Sequence, residues 1–191
     1  MAITDSTTDR MIRAAKENLR VGRFNAFLLW GYVTVAVSVV EYALIALTEN
    51  GMWMWGWFAI PLIGYPLQWR YGHTVDEEGD NYVERLVGHI WQVMKLAFLL
   101  TAVFVSLSTL SWLFLLPLTL ILCAVGVSLT GTVLQERAMM ACPFLSLCAG
   151  LYMLTDISHG GMGLAAFLYF AAAFAVMLIV PGHLLFRHGK A

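Results

Sequence analysis

Two ionisable residues stand inside long apolar runs of this chain: Glu41 in VTVAVSVVEYALIAL and Lys95 in HIWQVMKLAFLL. A buried carboxylate can bind and release a proton, pair with a cation, or act as a neutral hydrogen-bond donor. Asp156 and His159, in DISHGG, are the polar groups that could join Glu41 on one side of the molecule. His89 and His183 both lie at ends of apolar runs, where a convergent pair would suit a haem or a metal. Interfacial hydrogen bonding is the plainer reading of both. No H-E-x-x-H, G-x-S-x-G, paired-aspartate or phosphate-binding glycine signature occurs within the apolar runs, so an enzyme is unsupported. No metal site and no cofactor are expected. Cys123, Cys142 and Cys148 lie in apolar segments and read as small packing residues, not as a disulfide framework.

The elements that must position these groups are membrane spans. The composition is 60% hydrophobic and 12% charged, against roughly 45–50% and about 25% for soluble domains. The apolar residues gather in runs near the ~20 residues a helix needs to cross a ~30 Å hydrocarbon layer. The expected fold is all-α: a polytopic integral membrane protein with six transmembrane helices, at 24–47, 52–69, 88–109, 112–134, 139–155 and 162–185. Pro61 and Pro66 make the second a kinked or shallow span. Residues 1–23 read as a cytoplasmic amphipathic N-terminal helix, 24–185 as the transmembrane domain, and 186–191 as a cytoplasmic tail. The polar N-terminus before a long first span reads as no cleaved signal.

With six spans, Arg10, Arg13, Lys16, Arg20, Arg23, Arg70, Arg85, Arg137, Arg187 and Lys190 all fall on one side. Basic residues in short flanks mark the cytoplasmic face, so both termini are expected inside a bacterial inner membrane. Glu49, Asp156 and His159 then lie outside, and Trp53, Trp55 and Trp57 form an outer aromatic belt. On this register Glu41 sits roughly 9 Å below the outer boundary and Lys95 roughly 10 Å above the inner one. Their backbones are about 10–15 Å apart along the membrane normal, too far for an easy ion pair. Side chains lean toward a helix's N-terminus. Lys95 can therefore snorkel to the cytoplasm, whereas Glu41 leans to the membrane centre. Glu41 is expected to hold its proton and donate to a hydroxyl or carbonyl on a neighbouring span.

On the cytoplasmic side, Met11, Ile12, Ala15 and Leu19 share one face of a helix that Ser6, Thr7 or Thr8 can cap. That face suits a partner protein or anionic headgroups. Asp76, Glu77, Glu78, Asp80 and Glu84 lack calcium-loop spacing and read as a solvated acidic turn. GYPLQWR (64–70), GTVLQER (131–137) and GHLLFR (182–187) share a pattern at the inner ends of the even-numbered spans, which suggests three hairpins in parallel repeat. Ala124, Ser128 and Thr132, and the alanines of AAFLYFAAAFA, are small residues spaced for close helix packing.

The segments AKENLR, LLWGYVT, IPLIGYP, YVERLVGHIW, LTGTVL and LIVPGHLL resemble a family of small multi-pass membrane proteins common in Bacteroidetes. The resemblance implies the span order and inner-membrane location, and carries no activity or site residues. Members often accompany small winged-helix regulators, which implies a role in sensing or regulation. Lys95 departs from the pattern. Two functions follow as expectations: a non-enzymatic sensor or regulatory scaffold with a cytoplasmic protein partner, or a small oligomeric channel or transporter using Glu41. An intramembrane oxidoreductase is a distant third. The lipid bilayer is the expected environment, homo-oligomers are compatible with it, and direct nucleic-acid binding is not expected.

Overall fold

The computed structural model describes residues 7–15, 26–72, 82–108, 110–161 and 163–187, and every regular element among them is helical. Helix α1 covers residues 7–15. Helix α2 is Ala26–Thr48 and leads, through Asn50, into a 3₁₀ segment, Gly51–Phe58, and then α3, Ala59–Gly72. Helix α4 is Tyr82–Leu107. A single 3₁₀ turn, Trp112–Phe114, opens α5, Leu115–Val133, which is followed by α6, Arg137–Ser158. The last element runs from a 3₁₀ turn, Gly163–Ala165, through α7, Ala166–Phe174, and a π segment, Ala175–Ile179, to α8, Val180–Arg187.

Five of these units are long and apolar enough to cross a membrane: Ala26–Thr48, Tyr82–Leu107, Trp112–Val133, Arg137–Ser158 and Gly163–Leu184. The expected second span is divided differently, into 3₁₀ and α-helical parts. Its chemistry explains the break. The Asn50 side chain accepts the Met52 N–H and starts the segment at 2.9 Å. Pro61 has no N–H and is tolerated only in the first turn of an α-helix. The α-helix accordingly begins at Ala59, and the chain before it winds more tightly. Helix α4 starts earlier than the hydropathy suggests, with Glu84 in its first turn, where a carboxylate opposes the helix dipole.

Helices α5 and α6 form the most intimate pair. Their connection is a tight C-cap in which the Glu136 N–H donates to Gly131 O (2.9 Å) and Gln135 takes φ 52°. Such crossed bonds satisfy carbonyls that a helix end leaves open. The core lies among α2, α5, α6, α7 and the π segment, and includes Leu120, Met139, Met153, Phe167, Phe170 and Met177. Ile12 and Ala15 of α1 are buried in the same cluster as Phe27 and Val83. Met11 is exposed, while Leu19, the acidic residues 76–80 and the tail residues 188–191 lie outside the described residues. Helix α4 is the least buried of the five long units.

The small-residue stripe expected on α5 is only partly right. Ala124 is buried but Thr132 is exposed, and the packed face instead follows Leu120, Cys123, Ala124, Val127, Thr130, Gly131 and Leu134. A strict four-residue repeat drifts about 40° per step on a 3.6-residue helix, so it leaves the interface after two steps.

Close approach rests on glycine at a few points. A Cβ on Gly131 would lie 2.7 Å from the Met139 carbonyl carbon, so the two backbones would have to separate. A Cβ on Gly88 would meet nothing within 4 Å. Gly131→Ala is therefore expected to destabilise the protein by on the order of 2 kcal/mol, whereas Gly88→Ala is expected to be neutral or stabilising by up to ~1 kcal/mol. Thermal unfolding of both variants in one detergent checks the contrast.

Candidate functional site

The buried face of α2 carries Phe27, Gly31, Thr34, Ser38 and Glu41. Their spacing alternates between three and four residues, so they form one stripe along the helix. That stripe faces α7, the π segment and the 3₁₀ segment, the principal neighbours of α2 together with α3. At its lower part, a Cβ on Gly31 would lie 2.9 Å from Ile179 Cγ1 and 3.1 Å from Leu178 Cβ, which places α2 hard against the π segment. The π segment ends two residues before Pro181, whose missing N–H and bulky ring disturb the four-residue ladder upstream. The carbonyl of Ala173, at the junction, accepts the Ser146 hydroxyl from α6 at 2.9 Å.

At the upper part of the stripe lies Glu41, which is only 2% exposed. Gly56 sits on it: a Cβ there would be 2.5 Å from Oε1 and 3.2 Å from Cγ. The residue after Gly56, Trp57, packs edge-on against Phe170 (4.8 Å between ring centroids) and also meets Phe167 (6.4 Å). Trp55, on the other side of Gly56, stacks on Phe58 and tilts against Trp112. Trp53 and Trp55 are exposed, whereas Trp57 is partly buried and turned inward.

Both Glu41 oxygens lack a hydrogen-bond partner, and they are the buried side-chain polar atoms in that condition among the described residues. Other buried hydroxyls solve the same problem locally. Ser38 Oγ donates to Thr34 O (2.8 Å), and Thr130 Oγ1 donates to Gly126 O (2.8 Å). These hydroxyls fold back on carbonyls of their own helices, whereas neither oxygen of Glu41 reaches a donor or an acceptor. The expected donation from Glu41 to a neighbouring span is not made.

The other expected groups go elsewhere. Glu41 bonds to neither Asp156 nor His159. Asp156 is tucked into its own turn: a Cβ on Gly161 would lie 2.6 Å from Oδ2, and the Gly161 N–H donates to Asp156 O (2.9 Å). His159 Nδ1 bonds to Thr155 O at 2.7 Å. His183 Nε2 shares a hydrogen bond with Tyr32 Oη (3.0 Å), and His89 Nδ1 bonds to its own helix at Arg85 O (2.8 Å). The two histidines thus have separate partners. A shallow depression beside His89 is lined by Tyr82, Arg85, Leu86 and His89, all of α4. Among the described residues, no three His, Cys, Asp or Glu side chains gather as metal ligands. Lys95 is exposed and lies over the Tyr65 ring at 5.5 Å, while Tyr65 also meets Trp30 edge-on (5.2 Å). It does not pair with Glu41.

Comparison with family models, with curated proteins and with solved structures yields no match. Geometry and chemistry therefore carry the reading of the site. Leaving a buried polar group unpaired costs about 1–3 kcal/mol. Glu41→Met keeps the length of the side chain and removes both unpaired oxygens. It is expected to raise the midpoint of thermal unfolding, with a stabilisation of about 1 kcal/mol or more. A lower midpoint would show that the carboxyl group bonds within the fold.

Proposed function

We propose that this is a small channel or carrier of the bacterial inner membrane that moves protons by way of Glu41. The single observation behind this reading is a wholly buried carboxyl group without a partner in a bundle whose other buried side-chain polar atoms, among the described residues, are not left in that state. Ionisable residues inside spans are costly and tend to serve ion or proton pathways. Ser38 and Thr34 continue the line from Glu41 along the same face of α2, supplying hydroxyls on one side of the carboxyl group. The 3₁₀ segment covers it on the other.

The arrangement we propose for the chain in the bilayer has six crossings with both termini in the cytoplasm. The eight 3₁₀ residues of Gly51–Phe58 rise about 16 Å, and the 14 residues of α3 about 21 Å. Placed end to end they are long enough for a ~30 Å core. The arrangement also keeps the charged flanks on one side. The scaffold reading draws less support, because Ile12 and Ala15 of α1 are spent on the bundle's own core.

Reconstitution into liposomes tests the function. With an inside-negative membrane potential imposed, the lumen of wild-type vesicles is expected to acidify, and Glu41→Gln vesicles are expected to acidify at the rate of protein-free ones. Asp156→Asn, altered in the last turn of α6, is expected to behave as wild type. Equal rates for wild type and Glu41→Gln, whether fast or at background, would overturn the proposal.

A further inference from the structure

We propose that the Glu41 site also accepts a lipophilic organic cation, of the quaternary-ammonium type, in exchange for its proton. This inference rests on the reading of Glu41 as the working group. Four observations narrow the ligand to that class. The carboxyl group is 2% exposed and unpartnered, so a ligand that answers it must bring a positive charge or a donor. Among the described residues it belongs to no group of three His, Cys, Asp or Glu side chains, so a dehydrated metal ion would lack the charged and imidazole ligands it needs. The segment that roofs it supplies tryptophan: Trp57 follows Gly56 directly and packs on Phe170 and Phe167. Aromatic faces attract cations that carry their charge on an apolar body, and they do so most strongly when water is excluded. An anion would meet no basic side chain there, since the 3₁₀ and π segments carry none.

Entry requires the Gly51–Phe58 segment to move, because Gly56 lies in contact with the carboxyl group. The segment is built for such a change. Runs of 3₁₀ helix longer than three or four residues are uncommon and often mark a hinge, and this one has eight. It is anchored at its start by the Asn50 cap and has open space around Gly51. The exchange is simple in atoms and charge. The carboxyl O–H gives its proton to bulk water, and the carboxylate left behind pairs with the entering cation. No covalent bond to carbon forms or breaks.

Proton and cation then compete for one group. The ionisable side chains carried by the elements around Glu41 are few. They are Tyr32 and Tyr42 on α2 itself, Glu49 beyond its end, Tyr65, Arg70 and Tyr71 on α3, Tyr169 on α7, and His183 and Arg187 on α8. The 3₁₀ segment and the π segment have none. Among these, Glu49 is the other carboxyl group and His183 the one imidazole, so both serve as controls.

Phenyltrimethylammonium is a suitable probe, because its charge is fixed and it has no proton to donate. Equilibrium dialysis against the intact, detergent-solubilised protein is expected to show one site per chain. Binding is expected to weaken at least tenfold as pH falls through the range in which Glu41 takes up its proton, and to be lost in Glu41→Gln. Binding in Glu49→Gln and His183→Gln is expected to keep the wild-type pH dependence, which assigns the competing proton to Glu41. Trp57→Leu is expected to bind roughly tenfold more weakly, while Trp55→Leu, changed on the exposed side of the segment, binds as wild type. Glu41→Gln must elute as the wild-type species in size exclusion for its loss to count, and Trp57→Leu gives an independent readout if it does not. Equal binding by wild type and Glu41→Gln would mean partition into micelle or apolar surface and would overturn the inference. So would no binding by the wild type. If proton flux still depends on Glu41 in either case, only the cation assignment falls; if flux is also indifferent to Glu41, the underlying function falls with it.

Discussion

Hydrocarbon offers a polypeptide no hydrogen-bond partners, so backbone groups must find theirs within the chain. That constraint makes every regular element among the described residues helical. It also explains how the helices depart from regularity: the ladder changes pitch where a proline interrupts it, and bonding continues. Pro61 is preceded by a 3₁₀ segment and Pro181 by a π segment. Both departures press on the same face of α2. Buried hydroxyls along the way donate to carbonyls, at Ser38, Thr130 and Ser146. Against so complete a settlement, the bare carboxyl group of Glu41 is an exception of a different kind.

Helices in a membrane gain little from burying apolar surface against one another and depend on close van der Waals fit. Glycine provides it here. Gly31 meets the π segment, Gly64 lies under the Trp30 ring, Gly131 meets the Met139 backbone, and Gly182 meets Leu28. Gly64, Gly131 and Gly182 are the first residues of the three similar stretches GYPLQWR, GTVLQER and GHLLFR. Two of them pack on α2 and one on α6, so the shared pattern reflects a shared need for closeness with different neighbours.

The membrane character and the limits of most spans were legible from apolar length alone, because hydropathy and chain length act directly on that choice. The segment expected as the second span was not legible as a 3₁₀ and α-helical composite, since its winding depends on how Asn50, two glycines and Pro61 combine within a few residues. Glu41 stood out as a residue, yet its surroundings did not. The stripe of Gly31, Thr34, Ser38 and Glu41 has helical spacing, but spacing alone does not say which face of α2 is buried. The element that covers it could not be read, because Gly56 is distinguished only by what it touches. Asp156 and His159 looked like companions of Glu41 when depth was the only guide. Their own turn binds them through short-range contacts that a depth argument ignores. His89 and His183 lie at the same expected level but have separate partners.

The hydrogen bond from Ser146 to the Ala173 carbonyl has a mechanical consequence. A side chain on α6 grips the backbone of the neighbouring helix where its winding changes, so α7 cannot rotate or slide by a turn without breaking that grip. The close contact of Gly131 with the Met139 backbone joins α5 to α6 in the same way, so α5, α6 and α7 are tied to one another. The 3₁₀ segment over Glu41 is held largely by ring contacts, which slide and reform at small cost. Uncovering the carboxyl group therefore asks for ring contacts to be broken, and leaves the bond and the backbone contact that tie α5, α6 and α7 in place.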